Sequence, residues 1–171
     1  MDVTIRAAHE AEYGEVGDLT ADAYLEDGLL TYGAEDPYLE VLRNVPHRAG
    51  HAQVLVAVDA GTGDLLGTVT FVGDGGEYAN IARPGEAEFR MLAVHRKGRG
   101  RGVGEALVRD CLARARALGR ERVVLSTESK MTTAHRLYGR LRFVRTPARD
   151  WEPIPGLPLW TFALELADDE D

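Results

Sequence analysis

One cysteine, Cys111, is present in 171 residues. An intramolecular disulfide is therefore impossible, and a cysteine-based metal site is not expected. No apolar run reaches the length that a membrane-spanning helix needs. The opening residues, MDVTIRAAHEAEYGEV, have neither the basic start nor the apolar stretch of a secretory signal. The cytoplasm is the expected location. Positive charge is in deficit: 20 Lys and Arg stand against 28 Asp and Glu, a formal net charge of −8. That balance argues against nucleic acid as partner and favours a small cationic one, and without a spanning run no membrane partner is expected. Histidines 9, 47, 51 and 95 are read as lacking a ligand set, so no metal is expected. No internal repeat is visible. With 44% hydrophobic and 28% charged residues, the chain reads as one ordered domain over 1-171, with residues 167-171 an acidic, frayed tail.

What is present is a mixed α/β pattern. DVTIRAA reads as a first strand, and residues 10 to 24 as a helix with Val16, Leu19 and Ala23 on one face. Residues 36 to 45 read as a second helix, with Pro37 in its first turn and Leu39 and Leu42 facing the core. QVLVAVD and LLGTVTFV flank the turn AGTGD as a hairpin, and EFRMLAV is a further strand. A helix is expected from about Gly102 to Leu118, then the apolar strand ERVVLST, the short helix MTTAHRLYGRL, the strand RFVR and a final strand LPLWTFALEL. The expected fold is α/β (α+β): a mixed central sheet of six to seven strands flanked by about four helices.

Against the overall acidity, HRKGRGRGVG packs four cations and four glycines into ten positions, 95 to 104. The spacing excludes G-x-G-x-x-G, because Val103 and Glu105 stand where glycine is required, and no Lys-Ser/Thr pair completes a P-loop. A strand, a glycine-rich turn and a helix N-terminus remain. Such a turn aims several backbone N–H groups at one point, and the helix dipole adds partial positive charge there. Arg99 and Arg101 add donors, and glycines 100, 102 and 104 carry no Cβ to obstruct a close approach. The chemistry is that of a pyrophosphate cradle. In the helix behind it, Cys111 reads as a small core residue on a stripe with Leu107 and Leu118.

MLAV followed by RGRGVG resembles the acyl-CoA signature of the GNAT superfamily of N-acetyltransferases, Q/R-x-x-G-x-G/A, here Arg99, Gly102 and Gly104. AHRLYGRLRF resembles the family's second landmark, a tyrosine-bearing helix before L-G-F. The resemblance covers Val3 to Leu166. It implies a GNAT-like fold with acetyl-CoA as co-substrate and a primary amine as acceptor. Leu92 and Val94, with Ala93 between them, would pair through their backbone with the pantetheine arm. The amides of Arg99, Gly100, Arg101, Gly102, Val103 and Gly104 would hold the pyrophosphate. Tyr138 would be the general acid, and Glu88 stands where several members place the general base. Three positions depart from the pattern: Met131 replaces a cofactor-contacting asparagine, Arg142 the glycine of L-G-F, and Ser126 a catalytic glutamate of one branch.

An alkylammonium acceptor, with a pKa near about 10.4, must lose a proton before it can attack. A carboxylate suits that task, and the rival reading of Glu88 is an ion pair with Arg90, two positions along the same strand face. Tyr138 shares an apolar face with Ala134, Leu137 and Leu141, so its rival reading is a core tyrosine. His135 reads as surface or acceptor-side. Tyr24, Tyr32, Glu26, Asp27, Glu35, Trp151 and Trp160 are acceptor-pocket candidates, and equally packing or solvated residues. The expected function is transfer of acetyl from acetyl-CoA to a small-molecule or peptide amine in a ternary complex, with a non-catalytic acyl-CoA sensor as the alternative. A homodimer is left open.

Overall fold

The computed structural model describes residues 2–166; the expected acidic tail at 167–171 lies outside the described residues. The element order is β1 (Val3–Ala7), α1 (Tyr13–Glu26), α2 (Tyr38–Arg43), α3 (Val45–Ala49), β2 (Gln53–Asp59), β3 (Leu65–Val72), β4 (Glu86–Val94), α4 (Val103–Ala117), β5 (Arg122–Glu128), α5 (Thr132–Arg140), β6 (Val144–Arg145) and β7 (Leu159–Glu165). The seven strands form one sheet in the order β1-β2-β3-β4-β5-β7-β6. The chain divides into two compact units, residues 1–71 with 91–111 and residues 72–90 with 112–171. Strand β4 runs through both.

In the first unit, β1 pairs antiparallel with β2 from Val3↔Asp59 to Ala7↔Leu55, and β2 with β3 from Gln53↔Phe71. Val16, Leu19 and Ala23 of α1, spaced as one helical face, pack with Val54, Val56, Val58, Leu65 and Ala93. Ala21, Leu39, Leu42 and Met91 form a second cluster. The expected helix over 36–45 is α2, which ends at Arg43, and a separate short helix, α3, follows it. Asn44 leaves helical geometry at ψ 64°, and its side chain accepts from the His47 amide at 3.3 Å as an N-cap. Pro46 cannot supply the N–H that a continuous helix would need. The buried guanidinium of Arg48 then donates to the Val41 and Leu42 carbonyls at 3.0 and 3.1 Å, closing the end of α2. With this extra turn the described residues hold five α-helices. His47 and His51 stand four residues apart with ring centroids 4.6 Å from each other, a spacing the sequence reading passed over.

Two glycines set the position of the loop after β4. A Cβ on Gly67 would lie 2.9 Å from Val103 and 3.0 Å from the Ala93 carbonyl; one on Gly98 would lie 2.9 Å from the Leu66 carbonyl. These close approaches seat the start of α4 against β3. Within β4, Met91 takes φ 56°. A left-handed residue in mid-strand breaks the period-two alternation, and Met91 and Ala93 turn into the core beneath α1 and α2. Of the predicted stripe on α4, Leu107 and Cys111 are fully buried, whereas Leu118 is 50% exposed because the helix has ended one residue earlier.

In the second unit, β5 pairs antiparallel with β7 from Arg122↔Glu165 to Glu128↔Leu159, and β6 with β7 at Val144↔Ala163. The parallel pairing of β4 with β5, Glu86↔Arg122 to Glu88↔Val124, makes the sheet mixed. Phe89, Tyr138, Phe143 and Phe162 form its aromatic core, with ring centroids 5.7 to 6.1 Å apart.

Candidate active site

The cradle belongs to the first unit. Strand β4 leaves the sheet at His95, whose amide donates to the Leu66 carbonyl at 2.8 Å, and the chain turns at Gly98, whose amide donates to the His95 carbonyl at 2.8 Å. Gly100 and Gly102 both take φ 76°, a conformation that residues with a Cβ adopt only at a cost. Helix α4 begins directly after, with the unsatisfied N–H groups of its first turn. A Cβ on Gly100 would meet nothing within 4 Å, so the space before the turn is open. This is the geometry of an anion site, and it fits the phosphates of a coenzyme. A cavity of about 220 Å³ adjoins it, lined by Leu19, Ala23 and Glu26 of α1 and by Val94 and Arg96.

The cations of this loop all have acidic partners. Arg96 contacts Glu26 at 3.1 Å, and Arg99 contacts Glu26 at 3.5 Å and Asp27 at 3.8 Å. Lys97 reaches Asp64 at 3.4 Å, and Arg101 reaches Asp59 at 3.1 Å. Glu26 and Asp27, candidates for an acceptor pocket on sequence, pair with the arginines of this loop. These pairs are mostly solvent-exposed and individually weak. They leave the basic loop locally neutral in an acidic protein.

Glu88 and Tyr138 lie in the second unit. Glu88 is fully buried. Its Oε1 accepts three successive backbone N–H groups, from Asn80 at 2.9 Å, Ile81 at 3.0 Å and Ala82 at 3.1 Å, while Oε2 has no hydrogen-bond partner. The Arg90 guanidinium donates to the Tyr78 carbonyl at 3.0 Å, and its charge also acts on Glu88. Burial pushes the Glu88 carboxyl above its ordinary range, against the pull of the three amides and of the Arg90 charge. Two residues along, Glu86 is bound by Arg149 at 2.9 Å and by Arg122 at 2.9 Å.

Tyr138 is 5% exposed, and its ring packs against Phe89, Phe143 and Phe162. His135 is half-buried. It stacks on Trp160 at 5.4 Å, and its Nε2 lies 3.1 Å from the Glu128 carbonyl; burial lowers its pKa. Trp160 is thus a packing residue, sandwiched with Arg145 at 4.6 Å. Trp151 donates from Nε1 to the Ser126 hydroxyl at 3.0 Å. The sulfur of Met131 takes the Thr127 hydroxyl at 3.6 Å. Arg142 adopts φ 75°, so it keeps the left-handed turn that glycine provides in L-G-F. Sequence reasoning missed two residues. Glu128 lies two positions beyond Ser126 on the same strand face, and burial raises its carboxyl although Lys130 stands 3.6 Å away. Arg149 lies in a loop that carried no pattern.

Residues 17–143 match the Acetyltransferase (GNAT) family, and the chain belongs to it. The chain is 30% identical to the mycothiol acetyltransferase of Mycobacterium avium (strain 104) over 97% of its own length, and spans about half, 51%, of that relative. Among solved structures, it is similar to yncA, a putative acetyltransferase from Salmonella typhimurium with its cofactor acetyl-CoA, at 22% identity and TM-score 0.71, covering 100% of this chain and 98% of that one. It is also similar to a phosphinothricin acetyltransferase of Sinorhizobium meliloti in complex with AcCoA, at 19% identity and TM-score 0.71, covering 96% and 89%. At these identities the solved structures speak for the fold. Among the described residues, no helix is long and apolar enough to cross a membrane.

Proposed function

We propose that this chain moves an acetyl group from acetyl-CoA to a primary amine of a small molecule or peptide, by direct attack while both are bound, in the cytoplasm. The name of the Mycobacterium avium relative favours a small-molecule acceptor. The observation that carries the reading is Glu88: a wholly buried carboxylate with one oxygen fixed by three amides and the other without a partner.

Acetyl-CoA supplies an activated thioester acyl group. The Arg99 and Arg101 amides already donate to the Arg96 and Gly98 carbonyls at 3.2 Å each, so those of Gly100, Gly102, Val103 and Gly104 hold its pyrophosphate, and the backbone of Leu92 and Val94 pairs with the pantetheine arm as an added strand would. Glu88 takes the ammonium proton at Oε2, directly or through a water, while Oε1 stays anchored. A carboxyl raised by burial is a better base near neutral pH than one at its ordinary value. Tyr138 gives its phenolic proton to the departing sulfur, and a backbone N–H of the Met91–Val94 segment polarises the acyl oxygen.

Glu88→Gln preserves shape and removes basicity. Glu88 must be ionised to act, so the parent's kcat/KM falls as pH drops through its raised folded pKa. In the variant, turnover is lower by about 10²–10⁴-fold near neutral pH, and the deficit narrows as rising pH frees unprotonated amine. A variant that keeps the parent rate across the pH range removes Glu88 from the chemistry.

A further inference from the structure

The segment holding Glu88 is itself held from the other side. Arg149 donates from Nη2 to the Ile81 carbonyl at 2.7 Å. That carbonyl belongs to the same peptide unit as the Ala82 N–H, which donates to Glu88 Oε1 at 3.1 Å. One amide therefore stands between a guanidinium and the buried carboxylate, its oxygen on the cation and its hydrogen on the anion. Arg149 also grips Glu86 with both Nη atoms, at 2.9 and 3.0 Å, and its side chain is 13% exposed. Its neighbours fix its place. Asp150 takes two bonds from Arg145 at 2.8 Å each and one from the Thr161 amide at 2.9 Å, and the Trp151 indole is tied to Ser126.

We propose that Arg149 is a positioning residue for Glu88, acting through the Ile81–Ala82 peptide unit. A cation on the carbonyl polarises the amide and strengthens its N–H as a donor, and hydrogen bonds in such a chain reinforce one another. The bond from Arg149 orients that peptide so that the Ala82 N–H, beside those of Asn80 and Ile81, converges on Oε1. This leaves Oε2 as the oxygen available for a proton. The inference deepens the base assignment of Glu88 and rests on it for its catalytic meaning, but the structural link can be measured separately.

The charged and titratable groups on the elements around Glu88 include Glu86 and Arg90 on β4, Arg122 on β5, Tyr138 on α5, Arg149 in the loop before β7, and Tyr78 and Arg83 in the segment before β4. Burial alone would raise the Glu86 carboxyl, but bonds from Arg149, the Arg83 amide and Arg122 outweigh it and hold Glu86 ionised. Arg122 is a second, separate cation on Glu86, at 2.9 Å.

Carbon-13 NMR of protein labelled at the glutamate carboxyl carbons, with the Glu88 signal assigned by its loss in Glu88→Gln, reads this titration without turnover. In Arg149→Met the Glu88 titration moves up by about half a pH unit or more, and the acidic limb of kcat/KM moves with it. Arg149→Lys keeps a cation for Glu86 but lacks the planar fork that serves Glu86 and Ile81 together, so it moves the titration up by less. An unchanged Glu88 titration in Arg149→Lys overturns the proposal. So does a downward shift in either variant, which reports a segment that has opened and wetted Glu88. If the titration rises while the kcat/KM limb stays in place, the Arg149 link stands and the base assignment falls.

Discussion

At Tyr138 a single hydroxyl can be removed without emptying the core, since the ring already has Phe89, Phe143 and Phe162 around it. Tyr138→Phe is expected to lower kcat by about 10²-fold or more while acetyl-CoA affinity stays within about twofold, because proton donation to the sulfur exists only in the transition state. A tyrosine that only packs would instead lose roughly 0.5–1.5 kcal/mol of stability with its hydrogen bond and keep its rate. Melting temperature, CoA affinity and kcat measured on one preparation decide between them. The two residues proposed as base and acid differ in how much the sequence says of them. Tyr138 stands out because apolar residues at 134, 137 and 141 put it on a helix face. Glu88 is legible as a strand carboxylate, but its partners are not. Three amides from residues 80–82, in a stretch without periodic pattern, cannot be foreseen from a strand eight residues later. Arg142 shows the reverse case: the departure from L-G-F is plain in sequence, yet the backbone retains the glycine-like φ of 75°.

The element proposed to bind the coenzyme is β4, its loop and the start of α4. Order and type were readable here because each piece carries its own local signal: alternating apolar residues, clustered glycines, then a helix with the Glu105–Arg109 pair at 2.8 Å. Two features lay beyond local signals. The left-handed Met91 is imposed by what β4 must pack against, and the neutralisation of the loop by Glu26, Asp27, Asp59 and Asp64 depends on tertiary placement. The start of α3 had a local mark, the N-V-P-H run, whose proline and capping asparagine announce a new start. The loop's glycines carry a direct test. Gly102→Val places a branched side chain at φ 76°, where it strains the turn and intrudes on the phosphate position. Calorimetry should show CoA affinity reduced by a factor of about ten or more, roughly 1.4 kcal/mol. An affinity within about twofold of the parent would remove the loop from cofactor binding.

Over the whole molecule, the acidity and the basic loop are reconciled: a net charge of −8 coexists with a cradle whose cations are paired at home. The mixed sheet was readable as a class, since strand and helix periods alternate clearly along the chain. Strand order was not, because β7 enters beside β5 and leaves β6 at the edge, a long-range pairing that no local pattern encodes. The acceptor is the least legible part, for its candidate aromatics proved to be divided between packing and exposure, with Trp160 stacked on His135 and Tyr32 65% exposed. The central claim, acetyl transfer to an amine, is tested most directly by free-thiol release from acetyl-CoA with and without small-molecule and peptide amines. The account predicts sustained release that saturates with at least one amine, accompanied by one acetylated amine per thiol. Tight acetyl-CoA binding with release that no amine accelerates would contradict it and mark the chain as an acyl-CoA sensor.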